Sequence, residues 1–146
     1  MTTPYFQSEY KVYINHTDAG GIVYHANHLT FFENCRRDWL ESLGFDGYFF
    51  DEAGDSTAGG KVHFVGSRAS LDYKLALHVD DRLIVTIDSI VLKSASLIME
   101  QSIYANQADF EQSKPASTAS ITLACVHNTV NGLRPYRLQN KKKNAL

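Results

Sequence analysis

Asp18 is the residue from which chemistry is most readily argued. It precedes Ala19-Gly20-Gly21, where missing side chains let the backbone bend sharply and approach a bound molecule closely. A helical pattern begins within ten residues. The first turn of a helix leaves N–H groups without intrahelical partners, and the macrodipole adds about half a positive charge there. A carboxylate beside such an end is suited to attack on a carbonyl carbon, or to activation of water for that attack, while the amides polarise the carbonyl oxygen. The same carboxylate could instead organise the loop as an Asx-turn or helix cap, and the residue type does not separate the two roles. His16, His25 and His28 lie in the same stretch. They lack the i, i+4 pair of a helical zinc site, and no cysteine or further carboxylate stands at metal-type intervals, so no metal is expected.

The elements that must position Asp18 can be read on either side. Tyr10-Lys-Val-Tyr-Ile14 alternates in the manner of a half-buried strand. Asn15 to Asn27 then reads as a loop. From there Leu29, Phe32, Cys35, Trp39, Leu40 and Leu43 recur at three- and four-residue steps, the stripe of a helix that should be largely buried. Gly44 stands where a left-handed residue would end it. Asn27 suits an N-cap, although Thr30 and Glu33 fit a capping box that would start the helix later. Residues 46–60 are rich in glycine and acid and read as a loop, with a short helical turn at Tyr48-Phe49-Phe50. Strand-like runs follow at Lys61 to Tyr73, Arg82 to Leu92, Ser96 to Tyr104 and Ser117 to His127. Lys93-Ser94-Ala95 joins a hairpin, and Ala105 to Pro115 makes a longer connection. One strand, one long helix and four strands predict an α+β domain, an antiparallel sheet around a single apolar helix.

The bulk properties agree. A chain of 146 residues with 44% hydrophobic residues fits one domain with a real core; the expected boundaries are 1–138 for the domain and 139–146 for a mobile basic tail. A net charge of −2 argues against a nucleic-acid binder. The N-terminal residues show no basic region followed by an apolar run, and no apolar stretch approaches the roughly 20 residues of a membrane span. Cys35 and Cys125 lie far apart in sequence and read as reduced thiols of a cytoplasmic protein, with Cys35 in the core.

The element order, read with His16-Thr-Asp-Ala-Gly-Gly-Ile-Val-Tyr-His-Ala-Asn27 and the helix from Leu29 to Trp39-Leu40 and Leu43-Gly44-Phe45, resembles the hotdog-fold thioesterases of the 4-hydroxybenzoyl-CoA and Tol–Pal-associated type. Leu71 to Leu83 resembles the family's second strand, connection and third strand, with Leu75-Ala76 where a proline is usual and Asp80 where a glycine is common. Arg134-Pro-Tyr-Arg137 resembles its ending. The resemblance implies an antiparallel sheet wrapped around one central helix, and hydrolysis of an acyl-CoA thioester to free acid and CoA without a cofactor. It implies Asp18 as nucleophile or general base, Gly20 and Gly21 as its loop, and backbone N–H groups at Tyr24, His25 and Ala26 around the carbonyl oxygen. It also implies a homodimer or homotetramer with interfacial sites, completed by partner residues around Val65 to Ser70. CoA phosphates would call on basic residues, for which Arg68, Lys74, Arg82, Arg134 and Arg137 are candidates. The competing readings are an acyl-CoA or acyl-carrier-protein binding module without hydrolysis, and a hotdog dehydratase pairing Glu33 with His25. The identity of the acyl group lies beyond the sequence, with the 46–60 loop expected to help choose it.

Overall fold

A computed structural model describes residues 3–44, 49–50, 62–129 and 132–135. Seven strands among them form one antiparallel sheet: β1 (Phe6–Lys11), β2 (Phe49–Phe50), β3 (Val62–Tyr73), β4 (Arg82–Leu92), β5 (Ser96–Tyr104), β6 (Ser117–Thr129) and β7 (Gly132–Pro135). Their spatial order is β1-β4-β5-β6-β3-β2, with β7 on β6. The long helix α1 (His25–Ser42) lies against β1, β4 and β5, and a short helix α2 (Gln107–Glu111) sits in the β5–β6 connection.

The core is the apolar face of α1 pressed on the inward residues of the sheet. Phe31, Phe32, Cys35, Trp39 and Leu40 meet Leu83, Val85 and Ile87 of β4, Leu97, Met99 and Ile103 of β5, and Ile121 and Leu123 of β6. Each fully buried Phe contributes on the order of 2–3 kcal/mol from removal of apolar surface from water. A polar residue is set into this layer. Gln101 is buried under the helix, its Nε2 donating to the Phe32 carbonyl at 3.3 Å while its Oε1 accepts from Arg36 Nη1 at 3.0 Å. Burial pushes the Cys35 thiol up to about 12, so it is a core thiol rather than a nucleophile.

The strands β4 and β5 begin and end where periodicity puts them, and Gly44, at φ +90°, stands in the left-handed conformation just after the C-cap Leu43. Several expectations are corrected. The first strand runs over Phe6–Lys11 rather than Tyr10 to Ile14, because Val12 leaves the ladder and Ile14–His16 forms a single 3-10 turn. Its half-buried face includes polar Ser8 and Tyr10, both hydrogen-bonded to Asp38 on α1, and this hides the alternation. The helix starts at His25 with Tyr24 rather than Asn27 as N-cap, while Thr30 and Glu33 lie inside it, as the family resemblance implies. Leu29 is exposed and Phe31 takes its place on the buried face. Phe49–Phe50 pairs with Val62–His63 as a strand and not as a helical turn. The connection after β5 holds α2, capped by the Asn106 side chain accepting from the Asp109 N–H at 2.8 Å, and β7 is a strand the pattern did not reveal. Tyr48, most of the 46–60 loop and the basic tail lie outside the described residues.

Candidate active site

The loop before α1 is a small antiparallel hairpin closed by the Thr17–Val23 bridge. The Asp18 N–H donates to the Ile22 carbonyl at 2.9 Å, and the Gly21 N–H donates to the Asp18 carbonyl at 3.1 Å. Gly21 adopts φ +77°, which a residue with a side chain rarely takes. The hairpin is docked on the β3–β4 connection: the Val23 N–H donates to Leu77 at 2.8 Å, and the Val79 N–H donates to Gly21 at 2.9 Å.

Asp18 is half-buried at the tip of this hairpin. Its Oδ1 accepts from the Gly20 N–H at 2.8 Å and from the Ile22 N–H at 3.2 Å. Oδ2 accepts no hydrogen bond among the described residues, so one oxygen orients the group and the other remains available.

The start of α1 is stitched to the same loop through the His16 carbonyl, which accepts from Asn27 Nδ2 at 2.8 Å and from the Tyr24 N–H at 3.3 Å. Tyr24, at φ −57° and ψ 142°, is extended, and helical geometry begins at His25. The Asn27 N–H turns back to the Tyr24 carbonyl at 2.9 Å. That leaves the His25 and Ala26 N–H groups without a protein acceptor among the described residues. They are the free donors of the helix end, whereas the Tyr24 amide is already engaged.

Asp18, Ile22, Val23, Tyr24, His25, Ala26 and Asn27 line one open cavity of about 550 Å³. The structure therefore brings together Asp18 and all three residues expected to surround a carbonyl oxygen. Gly20 and Gly21 shape the hairpin beneath them. A carboxylate with one uncommitted oxygen and two uncommitted amides at a helix N-terminus can deliver a negative oxygen, or activated water, to a polarised carbonyl carbon.

A second cavity of about 220 Å³ adjoins the first, sharing Ile22, Val23 and His25 and adding His28, Tyr73, Lys74, Leu75 and Ala76. His28 is buried, with Nδ1 hydrogen-bonded to the hydroxyl of buried Ser117 at 2.8 Å. Burial first, and the nearby His25 second, hold its pKa down at about 4. The exposed His25 ring stacks on Tyr73 at 4.3 Å. Reasoning on the sequence missed Tyr73 and Ser117, since both stand in ordinary strand runs with no local signal.

His16 lies against Phe31, its Nδ1 accepting from the Tyr13 N–H at 2.9 Å. Among the described residues no three His, Cys, Asp or Glu side chains are grouped to hold a metal, and no helix is long and apolar enough to cross a membrane. Glu33 is not brought to His25. It lines a separate groove with Leu29, Arg36 and residues 66–69 of β3, so no dehydratase pair forms within one chain. Of the basic candidates, Lys74 lines the second cavity and Arg68 the groove, while Arg82 pairs with Glu9 at 3.8 Å. The Arg134 side chain and Arg137 lie outside the described residues.

The sequence profile of the thioesterase-like superfamily matches residues 12–141. The acyl-CoA thioesterase YbgC of Haemophilus influenzae is 33% identical over 121 residues, covering 83% of this chain and 80% of that protein. The acyl-CoA thioester hydrolase YbgC of Escherichia coli O6:H1 is 29% identical over 103 residues, covering 70% and 72%. A probable thioesterase from Bartonella henselae superposes with a TM-score of 0.70 at 26% identity, covering 94% of this chain and all of the other. The fold is also that of a 1,4-dihydroxy-2-naphthoyl-CoA thioesterase from Synechocystis, at a TM-score of 0.74 and 20% identity over 96% and 93% of the two chains.

Proposed function

This chain belongs to the thioesterase-like superfamily, and we propose that its reaction is hydrolysis of an acyl-CoA thioester to a carboxylic acid and CoA. The observation that carries the mechanism is the single cavity holding both Asp18, with Oδ2 uncommitted, and the free His25 and Ala26 amides. The thioester oxygen accepts from those amides, with the Tyr24 N–H a third donor once released from His16. Negative charge that builds on this oxygen is then met by oriented N–H groups and the helix dipole.

Asp18 serves in one of two ways. As nucleophile, Oδ2 bonds to the carbonyl carbon, the C–S bond breaks, CoA leaves as thiolate and takes a proton, and water opens the acyl-aspartyl anhydride. As general base, Oδ2 takes a proton from water, whose oxygen attacks the same carbon; the C–S bond then breaks and CoA leaves as thiolate, taking that proton from Asp18. Label found in Asp18 after single turnover in ¹⁸O-water identifies the anhydride route, since general-base hydrolysis puts label in the product acid alone. Neither route calls on a cofactor.

Assembly belongs to this reading as well. Beyond the two residues paired with β2, the outer edge of β3 has no strand partner among the described residues, and residues 66–70 on it are exposed beside exposed Leu29. A second copy on this edge would cover both, and a tetramer would pair two such dimers. Cys35 and Cys125, both buried and in no disulfide among the described residues, suit the reducing cytoplasm.

The test is thiol release from a panel of acyl-CoA esters by the wild-type chain and Asp18→Asn. We expect turnover in the wild type and a fall of at least about 100-fold in the variant. Undiminished turnover in Asp18→Asn refutes the mechanism, and tight acyl-CoA binding without thiol release in the wild type would make the chain a binding module.

A further inference from the structure

Asp18 and the amides opposite it ride on two different pieces of structure. The carboxylate sits on the hairpin, which rests on the β3–β4 connection through the Val23 N–H on Leu77 and the Val79 N–H on Gly21. The His25 and Ala26 amides belong to the first turn of α1. The spacing between the two pieces must be held, because a misplacement of roughly 1 Å in a reacting group can cost about 100-fold in rate.

Besides the local tie at the His16 carbonyl, both pieces are mounted at one place in the sheet, where β3 ends and β6 begins. The Ala116 carbonyl accepts from the Lys74 N–H at 2.8 Å and the Leu75 N–H at 3.0 Å, which fixes the start of the connection that carries the hairpin. The next residue, Ser117, holds the helix. Its hydroxyl meets His28 Nδ1 at 2.8 Å, and both residues are buried. The hydroxyl makes no other hydrogen bond among the described residues, so it donates to Nδ1 and the ring proton lies on Nε2. Ser117 lines neither cavity, so the pair does not act on a substrate carbon.

Tyr73 faces Ser117 across the β3–β6 ladder and adds a second grip. Its hydroxyl donates to the His25 carbonyl at 3.1 Å, and its ring stacks on the His25 imidazole at 4.3 Å. Tyr73 is 41% exposed, so water competes for its hydroxyl. The bond from Ser117, shut away from water, is the firmer of the two.

We propose that Ser117 is a positioning residue for this reaction: acting through His28, with Tyr73 as a second grip, it sets the His25 and Ala26 amides against Asp18. The proposal rests on the hydrolytic reading above. Its signature is a loss in kcat with KM little changed, because the amide bonds strengthen as charge develops on the carbonyl oxygen.

The experiment compares Ser117→Thr with Ser117→Val by steady-state thiol release and thermal melts, each also in a His28→Phe background, with the wild type and Tyr73→Phe alongside. Threonine and valine have nearly the same shape, so strain from the added bulk is shared and the hydroxyl alone differs. Ser117→Val should fall about 10- to 100-fold below Ser117→Thr in kcat, and Tyr73→Phe should lose less. The gap should close in the His28→Phe background, where the hydroxyl has lost the ring it acts through. Should either variant melt below the assay temperature, Ser117→Ala against the wild type makes the same comparison. Equal kcat for the threonine and valine variants, a rise in KM that accounts for the loss, or a gap that persists without His28 overturns the proposal, while an active wild type leaves hydrolysis standing. If the wild type releases no thiol from any ester, the hydrolytic reading fails and this proposal falls with it.

Discussion

Replacing His25 with proline would isolate the contribution of one backbone amide. Proline has no N–H and holds φ near −65°, the value a first helical residue requires. The residue before a proline must be extended, and Tyr24 already is, at φ −57° and ψ 142°. Because the His25 N–H donates to no protein acceptor among the described residues, its removal breaks no hydrogen bond of the fold. His25→Ala is the matched control, since it loses the imidazole and the stack on Tyr73 but keeps the amide. Removing one donor from an oxyanion site costs roughly 100- to 1,000-fold in kcat, or about 3–4 kcal/mol. The Ala26 N–H survives as a second donor, so the proline variant should lie about 100-fold below the alanine variant in kcat, with KM little changed, because the bond strengthens as charge develops. Its melting temperature should equal or slightly exceed that of His25→Ala, since proline removes freedom from the unfolded chain. The assays are steady-state thiol release and a thermal melt. Activities within threefold of each other, with both variants folded, would refute the assignment of this amide to the carbonyl oxygen.

Two further outcomes follow from the same structure. His28 is held neutral in the fold, down at about 4 from its ordinary 6.5, by burial first and by His25 second. The unfolded chain therefore binds the extra proton at higher pH than the folded one, so the stabilisation is complete above about pH 6.5 and is lost as pH falls towards 4, by about 3 kcal/mol at most. Urea unfolding at stepped pH should show this loss in the wild type and a shallower slope in His28→Asn; identical slopes would contradict it. Sedimentation should give a mass of two or four 16.4 kDa chains, and a monomer at micromolar concentration would remove the second copy from the β3 edge.

The reach of the sequence depended on how local each signal was. β4 and β5 show apolar patterns bounded by turn residues, and their ends were legible to the residue. β1 was displaced because its half-buried residues include Ser8 and Tyr10, which satisfy Asp38 across the helix interface. Leu29 fits the helical period yet stays exposed, lining a groove with residues 66–69 of β3. Asp80 illustrates a signal that was visible but not explained by the sequence alone. It stands where the family commonly has glycine, and the structure shows φ 70° there, with its N–H donating to Val12 at 2.8 Å. Aspartate tolerates that conformation better than most residues. The site followed the same division. The hairpin and helix start form one stretch of chain and were readable together, whereas Tyr73 and Ser117 arrive from 45 or more residues away and carry no mark of it.

Asp18 presented two alternatives in sequence, a loop-organising carboxylate or a chemical one, and the geometry is compatible with both at once. Both local bonds, from the Gly20 and Ile22 amides, fall on Oδ1. A carboxylate gripped at one oxygen by two backbone N–H groups loses little further orientation when the other oxygen acts, which is the benefit of positioning before reaction. The glycines serve both roles at once: Gly21 supplies the left-handed turn, and a Cβ at Gly20 would come within 3.4 Å of Asp18 Oδ1. The hairpin that organises the loop is thus the device that aims Asp18, so a variant that loosened Gly20 or Gly21 should weaken catalysis through misalignment before it weakened the fold.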